Sequence, residues 1–224
     1  MNLGKLCLVA TPIGNLKDIT LRAIDILSSV DVIVCEDTRK TGLLLKKLEI
    51  DNNPQLLSYY EENEAGRIPQ IISLLKLGKN VALVSNAGTP TISDPGFKLV
   101  RECIKENINV EAIPGASAVL SALIVSGLPT DKFIFLGFLP KKEGKRKKIL
   151  EKLEKDTTTI IYVSPYRLVK RLEELKSLFG DIEVVVCREL TKMHEEVKRD
   201  KISDLLSYFG KKKIKGEITL CFKI

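Results

Sequence analysis

Three turn segments in the first half of the chain carry residue types that could bind a ligand or move a proton. They read ATPIGN (residues 10–15), CEDTRK (35–40) and SNAGTPTISDPG (85–96). Small residues let backbone amides and carbonyls approach a ligand, and prolines hold that backbone still. Glu36 and Asp37 either favour the dipole of a helix that begins at Thr38 or face a substrate, and both interpretations stay open. The third turn is too long and too rich in glycine and proline for a helix or strand, so we expect it to form a wall of a pocket.

Several other site classes are not predicted. The chain has neither GxxxxGK[ST] nor GxGxxG after its first apolar run, so we expect a ligand without a polyphosphate group. His194 has no evident serine or cysteine partner and is interpreted as a surface residue. The five cysteines are odd in number and scattered without a CxxC pair. They predict buried free thiols in a reducing compartment, with no metal site.

The elements that must position these turns follow from short apolar runs. In the first half the runs are 6–10, 32–35, 55–58, 81–85 and 110–113. Each gap can hold one helix, which predicts βαβ units and a parallel sheet covered on both faces. The turns would then lie together at the carboxyl edge of the sheet, where open α/β folds bind ligands.

The second half repeats this style less regularly, with strands expected in FIFLGF, TTTIIYV, IEVVVC and EITLCF. Helices are expected in LVKRLEELKSLF and KISDLLSYF, and the last strand could pair antiparallel. We therefore predict an α/β fold with two domains, 1–113 and 114–224. The first has a mainly parallel sheet and the second a mixed sheet.

Charge and hydropathy narrow the choice of partners. The net charge of +7 arises in the second half, mainly in residues 141–155 and 211–215. Such runs are either a solvated face or a surface for a polyanion, and charge alone leaves both open. Residues 112–130 carry no charge but contain prolines, glycines and serines, which favours a buried helix over a membrane span. We expect a soluble, cytoplasmic protein without a signal peptide or membrane partner.

Taken in order, the strings ATPIGNLKDIT, CEDTRKT, VSNAGTPTISDPG, IPGASAV, SGLPTDKF, GFLP and RELTKMHEE resemble the tetrapyrrole methylase superfamily. Within it they resemble the ribosomal RNA small subunit methyltransferase I family over nearly the whole chain. That resemblance implies transfer of a methyl group from S-adenosyl-L-methionine to a cytidine ribose 2′-hydroxyl in 16S rRNA. It also implies a cofactor cleft between the domains and a homodimer. Family members usually read SDAGTP, and Asn86 replaces that aspartate here, which removes a charge and adds donors.

The resemblance also assigns expected roles to residues. The cofactor-binding residues would be Pro12, Ile13, Asn86, Ala87, Gly88, Thr89, Pro90, Ile92, Ser117, Ala118, Pro165 and Thr191. The substrate-binding residues would be Thr38, Arg39, Lys145, Arg146, Lys147 and Lys148, with the lysine-rich run binding phosphates of 16S rRNA in the small ribosomal subunit. A base or a polarising cation for the hydroxyl would be Asp37, Glu61 or Lys192, and the sequence does not rank these three.

Two other functions stay open beside the rRNA methyltransferase. The first is a small-molecule methylase that acts on a tetrapyrrole or corrin, which would have no evident use for the lysine cluster. The second is a non-catalytic RNA-binding or ribosome-assembly factor, for which Asn86 would be the signal.

Overall fold

A computed structural model describes residues 3–224 of the chain. The chain folds as two compact units, of which the first ends at Ser117 and the second is Ala118–Ile224. The predicted boundary after Ile113 lies four residues before this division. Separate domains and a cofactor cleft between them stay predictions.

The first unit contains a five-stranded, fully parallel sheet within the described residues. The strands are β1 (Leu6–Val9), β2 (Val32–Cys35), β3 (Gln55–Ser58), β4 (Val81–Val84) and β5 (Val110–Ile113), in the order β3-β2-β4-β1-β5. The helices are α1 (Leu21–Ser29), α2 (Thr38–Lys47), α3 (Glu64–Lys76) and α4 (Phe97–Lys105). The predicted parallel sheet is confirmed.

The central strands of this sheet are apolar on both faces because a core lies on each side. All four residues of β2 and of β4 are buried. One core includes Leu6, Leu83 and Leu99, and the other includes Cys7, Leu27 and Ile33. Because β4, β1 and β5 are neighbours, the loops that leave their carboxyl ends lie side by side.

The second unit contains a mixed five-stranded sheet in the order β6-β7-β10-β8-β9. Its elements are α5 (Ala118–Ser126), β6 (Phe133–Phe138), α6 (Glu143–Leu150), β7 (Thr158–Val163), α7 (Leu168–Phe179), β8 (Glu183–Arg188), β9 (Glu196–Lys201), α8 (Ile202–Phe209) and β10 (Ile218–Phe222). Strands β6 and β7 are parallel, and the other pairs are antiparallel. The predicted mixed sheet and the antiparallel last strand are confirmed.

Two elements differ from the sequence-based expectation. Strand β9 reads EVKRDK and was not predicted, because an exposed edge strand needs no apolar alternation. Helix α5 was expected to be buried, but only one side of it is. Val119 and Leu123 are buried, whereas Leu120 and Ile124 are exposed on the described chain. None of the helices within residues 3–224 combines the length and apolar character that a membrane span requires.

The prediction of buried free thiols is confirmed. Cys7, Cys35, Cys103, Cys187 and Cys221 are all free and buried. Four of them lie in strands and Cys103 lies in α4. They pack as small apolar side chains in the cores.

Candidate functional site

The loops that follow β1 and β4 are joined to each other by backbone hydrogen bonds. The amide of Thr11 donates to the Gly88 carbonyl at 2.9 Å, and the amide of Gly88 donates to the Thr11 carbonyl at 2.9 Å. The Thr11 hydroxyl also donates to the Ser85 carbonyl at 3.3 Å. Together these bonds hold two of the three predicted ligand-binding turns in one fixed arrangement.

Gly88 lies at the closest point of this arrangement. Its φ of +81° belongs to the left-handed region that favours glycine. A Cβ at this position would stand 3.3 Å from Cγ2 of Ile13 and 3.8 Å from the Ala116 carbonyl oxygen. A side chain here would therefore meet both a strained backbone and a crowded neighbourhood.

The loop that follows β5 joins the same cluster. The Thr89 hydroxyl donates to the Ala116 carbonyl at 3.1 Å. A Cβ on Gly115 would stand 2.9 Å from that of Ala10, which directly follows β1, so glycine permits this close approach. The structure thus brings together the loops that carry the expected cofactor residues of the first unit: Pro12, Ile13, Asn86, Ala87, Gly88, Thr89, Pro90, Ile92 and Ser117.

Asn86 links this turn to the loop that follows β2. Its side-chain amide donates to the Glu36 carboxylate. Burial raises the pKa of Glu36, against the opposing effects of Lys40 and of hydrogen bonds with Asp94 and Asn86. An aspartate in place of Asn86 could not donate this bond while ionised, and it would add a negative charge beside Glu36.

This arrangement predicts a pH-dependent cost for the Asn86→Asp substitution. The new carboxyl group would have a raised pKa in the folded state, so its destabilising effect grows as pH rises. We expect the free energy of unfolding to fall by about 1 kcal/mol at pH 8 and by about a third of that at pH 4, because 1 kcal/mol corresponds to a pKa raised by less than about one unit. Urea unfolding followed by circular dichroism at both pH values measures this.

The matched variant is Asn86→Ala, which loses the same hydrogen bond without adding a charge. Its effect should change less between pH 4 and pH 8 than that of Asn86→Asp, because it adds no carboxyl group to the site. An Asn86→Asp penalty that does not change between these pH values would contradict the like-charge explanation.

Asp37 acts as the N-cap of α2. Its side chain accepts from the Arg39 amide at 3.0 Å, and it pairs with the Arg39 guanidinium. The hydrogen bond from Arg39 lowers the pKa of Asp37 to about 2. Thr38 is the first residue of α2, as the sequence suggested. Of the two interpretations left open, the helix cap is observed, and a role toward a substrate stays a prediction.

The other two candidates for the reacting hydroxyl lie in different surroundings. Glu61 is exposed in the turn before α3. Lys192 lies in the loop after β8 and pairs with Glu189 at 2.7 Å and Glu217 at 2.8 Å. Burial lowers the pKa of Lys192, but the hydrogen bonds to the two carboxylates outweigh burial and raise it. Lys192 is therefore a cation at neutral pH.

The second unit holds the remaining expected cofactor residues in separate elements. Ala118 begins α5, and Pro165 follows β7. Thr191 follows β8 with a left-handed φ of +66°, and its amide donates to the Glu195 carboxylate at 2.6 Å. The cofactor contacts expected of these residues stay predictions.

The central part of the lysine-rich run forms α6, and this helix presents its lysines to solvent. Lys145, Lys147 and Lys148 are exposed. Arg146 is different, because it is only 4% exposed and its guanidinium pairs with Glu174 at 2.7 Å. Its predicted place on the phosphate-binding surface must be corrected, since its guanidinium is buried in contacts with Glu174 and with the carbonyls of Pro140 and Lys141 and does not share the exposed surface of the lysines.

The structure also brings together several residues that the sequence patterns did not single out. Glu64 at the start of α3 accepts from the Tyr59 hydroxyl and from the Gly96 amide at the end of the long turn. In the second unit, Arg171 and Arg146 share one carboxylate, that of Glu174. The strings GFLP (137–140) and SPYR (164–167) lie at the carboxyl ends of the neighbouring strands β6 and β7 and were the available signals for this second cluster.

Comparisons with known proteins identify the family to which the chain belongs. The sequence pattern of the tetrapyrrole (corrin/porphyrin) methylases matches residues 5–206. Ribosomal RNA small subunit methyltransferase I of Thermotoga maritima is 50% identical over 219 residues, which cover 97% of each chain. The protein of that name from Hydrogenobaculum sp. is 52% identical over 218 residues, covering 96% of this chain and 94% of that protein.

A solved structure supports the fold at low sequence identity. Uroporphyrin-III C-methyltransferase from Thermus thermophilus, complexed with S-adenosylhomocysteine, superimposes with a TM-score of 0.65. It is 17% identical and covers 98% of this chain and 97% of that chain. The chain therefore belongs to the tetrapyrrole methylase family, and within it to the family of ribosomal RNA small subunit methyltransferase I.

Proposed function

We propose that the chain is an S-adenosyl-L-methionine-dependent methyltransferase that methylates a cytidine ribose 2′-hydroxyl in 16S rRNA. The observation that carries this proposal is the 50% identity, over 97% of both chains, to a protein named for methylation of small-subunit rRNA. The cytidine as target nucleoside and the ribose 2′-hydroxyl as methyl acceptor are the finer part of the proposal. They rest on the motif resemblance in the sequence.

The first unit offers a suitable place for the cofactor. The loops after β1, β4 and β5 are tied together at Thr11, Gly88, Thr89 and Ala116. With glycine at position 88, the approach to the backbone stays free of a side chain. When bound, the cofactor supplies a methyl group on a cationic sulfonium. The role of the loops is to hold that group in line with the acceptor oxygen and to exclude water.

The three candidates for activating the hydroxyl differ in what they can do. Asp37 has a pKa of about 2, so its carboxylate is a weak base. Glu61 is an exposed carboxylate in the turn before α3. Lys192 keeps its proton and could only polarise or stabilise an anionic oxygen. We therefore propose Glu61 as the first residue to test as a base, and Lys192 as the first cation.

The second unit is suited to a polyanion. The exposed Lys145, Lys147 and Lys148 lie on one short helix, α6. Lysines of this kind contact phosphates without reading the sequence, which predicts salt-sensitive binding. A 2′-hydroxyl acceptor would restrict the enzyme to RNA. A homodimer and a cytoplasmic location remain part of this proposal.

The test is methylation with a radiolabelled methyl donor, followed by mapping of the modified nucleotide. Unmethylated small subunits, naked 16S rRNA and a DNA strand of matching sequence are offered in parallel. We expect label in a single cytidine ribose of the RNA substrates and none in DNA. Alkali resistance of the adjacent phosphodiester identifies 2′-O-methylation, because hydrolysis needs the free hydroxyl.

Other results would contradict the proposal in different ways. Label on a base would retain the methyltransferase and remove the ribose specificity. Label in a tetrapyrrole and not in RNA would favour the small-molecule methylase. A third result would favour the non-catalytic assembly factor. The chain would bind RNA, but calorimetric titration with S-adenosylmethionine would give no heat of binding and no labelled methyl group would be transferred.

A further inference from the structure

The second unit contains a cavity of about 420 Å³ at the carboxyl ends of the parallel strands β6 and β7. Its lining includes Phe138, Lys141, Tyr162, Tyr166, Arg167 and Arg171. Aromatic rings and cationic groups therefore converge on a space of the size that small ligands occupy. The cofactor-binding and phosphate-binding roles proposed above do not involve these aromatic rings and arginines.

Around the buried Arg171, the wall of the cavity carries an excess of positive charge. Arg171 is buried and pairs with Glu174, but the same carboxylate also pairs with the buried Arg146. Two guanidinium groups thus share one carboxylate. Burial, together with the charges of Arg146 and Arg167, lowers the pKa of Arg171 to about 10. A buried cation without a full counter-charge is stabilised by an incoming anion.

Arg146 holds one edge of the cavity, the loop after β6, in place. The Arg146 guanidinium donates to the carbonyls of Pro140 and Lys141 at 2.9 and 3.0 Å. These residues lie in the loop between β6 and α6. Arg146 is therefore a positioning residue for the rim beside Phe138.

The upper part of the cavity presents aromatic rings to solvent. Tyr166 is 92% exposed and Phe138 is 64% exposed. The ring of Phe138 is itself supported by Tyr162, with centroids 5.4 Å apart. Exposed rings next to cationic groups are the surface on which single-stranded nucleic acids stack their bases.

We propose that this cavity binds one nucleotide of single-stranded RNA, with its phosphate against Arg167 and Arg171 and its base against Tyr166 and Phe138. The inference rests on the proposed function and adds a substrate subsite to it. The methyl donor is a poor occupant, because it carries a net positive charge and would meet the arginines. The exposed lysines of α6, which begins two residues after Lys141, extend the cationic surface for the phosphates that follow.

The test uses the full chain and a fluorescein-labelled single-stranded hexacytidylate. Anisotropy gives the Kd between 50 and 200 mM KCl, and calorimetry gives the Kd for S-adenosylmethionine. The variants are Arg167→Ala and Tyr166→Ala. Their controls are Tyr166→Phe, which keeps the ring, and Arg101→Ala, which removes an exposed arginine from α4 in the first unit.

We expect each alanine variant at the cavity to raise the RNA Kd about tenfold. Arg167→Ala should also reduce the slope of log Kd against log salt by about one, whereas Tyr166→Ala should leave that slope unchanged. Tyr166→Phe and Arg101→Ala should bind RNA like the wild type. The affinity for S-adenosylmethionine should stay the same in all four variants.

Several results would overturn the subsite without overturning the proposed function. One is a chain that methylates small subunits but does not bind the hexanucleotide, or binds it equally with and without Arg167 and Tyr166. Another is loss of cofactor affinity with intact RNA binding, which would assign the cavity to the cofactor. A wild-type chain that neither methylates nor binds RNA would instead remove the proposed function, and the subsite with it.

Discussion

Replacing Gly88 by valine should raise the Kd for S-adenosylmethionine at least about 100-fold, and methyl transfer should fall with it. Valine is β-branched and strongly disfavours a φ of +81°. Its Cβ would also press against Ile13, 3.3 Å away. Relief of both strains must move the turn away from the loop after β1 and break the paired hydrogen bonds with Thr11. Calorimetric titration of the purified variant with the cofactor measures the effect.

A matched variant separates this local effect from general backbone strain. Gly180 ends α7 with a φ of +78°, and nothing lies within 4 Å of a Cβ built there. Gly180→Val should lower stability by about 1–2 kcal/mol and leave cofactor affinity unchanged. Equal loss of affinity in both variants, or wild-type affinity in Gly88→Val, would contradict a cofactor site at this turn.

The fold could be predicted well because its strands carry unambiguous patterns. β2 and β4 are apolar on both faces, and the helices between strands have apolar residues three and four apart. β9 escaped prediction because five of its six residues are charged and pairing with β8 alone defines it. The exposed side of α5 could not be predicted either, since apolar residues surround the whole helix in sequence.

Only the parts of the candidate site that follow from the strand pattern could be predicted from the sequence. Parallel topology alone places the turns after β1 and β4 at one edge, so their proximity followed from the strand pattern. The burial of Arg146 depends on a partner 28 residues away, and a run of lysines hides it. Its spacing of three and four from Ile149 and Leu150 was the available signal for the inward face of α6.

Glu64 supplies a long-range contact that sequence patterns do not reveal. Its side chain is 6% exposed and pairs with Lys98 at 2.8 Å. It accepts from the Tyr59 hydroxyl at 2.7 Å and from the Gly96 amide at 3.3 Å. Gly96 ends the long turn with a φ of +134°. A single buried carboxylate thus fixes the point at which the proposed cofactor turn enters α4.

The Glu64→Ala substitution should lower the free energy of unfolding by about 3 kcal/mol. It leaves the buried Tyr59 hydroxyl and the Gly96 amide without their acceptor, and each such loss costs about 1–3 kcal/mol. Glu64→Gln keeps an acceptor oxygen and should lose only about 1 kcal/mol. Urea unfolding followed by circular dichroism is the measurement, since the chain has no tryptophan. The exposed Glu62 gives the matched control, and Glu62→Ala should change stability by less than about 0.5 kcal/mol.

The pH dependence of the same pair of variants tests the electrostatic part of this contact. Burial raises the pKa of Glu64, but hydrogen bonds from Lys98, Tyr59 and Gly96 outweigh burial and hold it below its ordinary value of 4.5. A carboxyl group with a lowered pKa contributes stability above its ordinary value and loses that contribution as pH falls through the folded-state pKa. The difference between wild type and Glu64→Gln should therefore be constant from pH 7 to about pH 5 and shrink below that range. A difference that grows on acidification, or a Glu64→Ala variant no less stable than Glu62→Ala, would show that this carboxylate does not hold the turn.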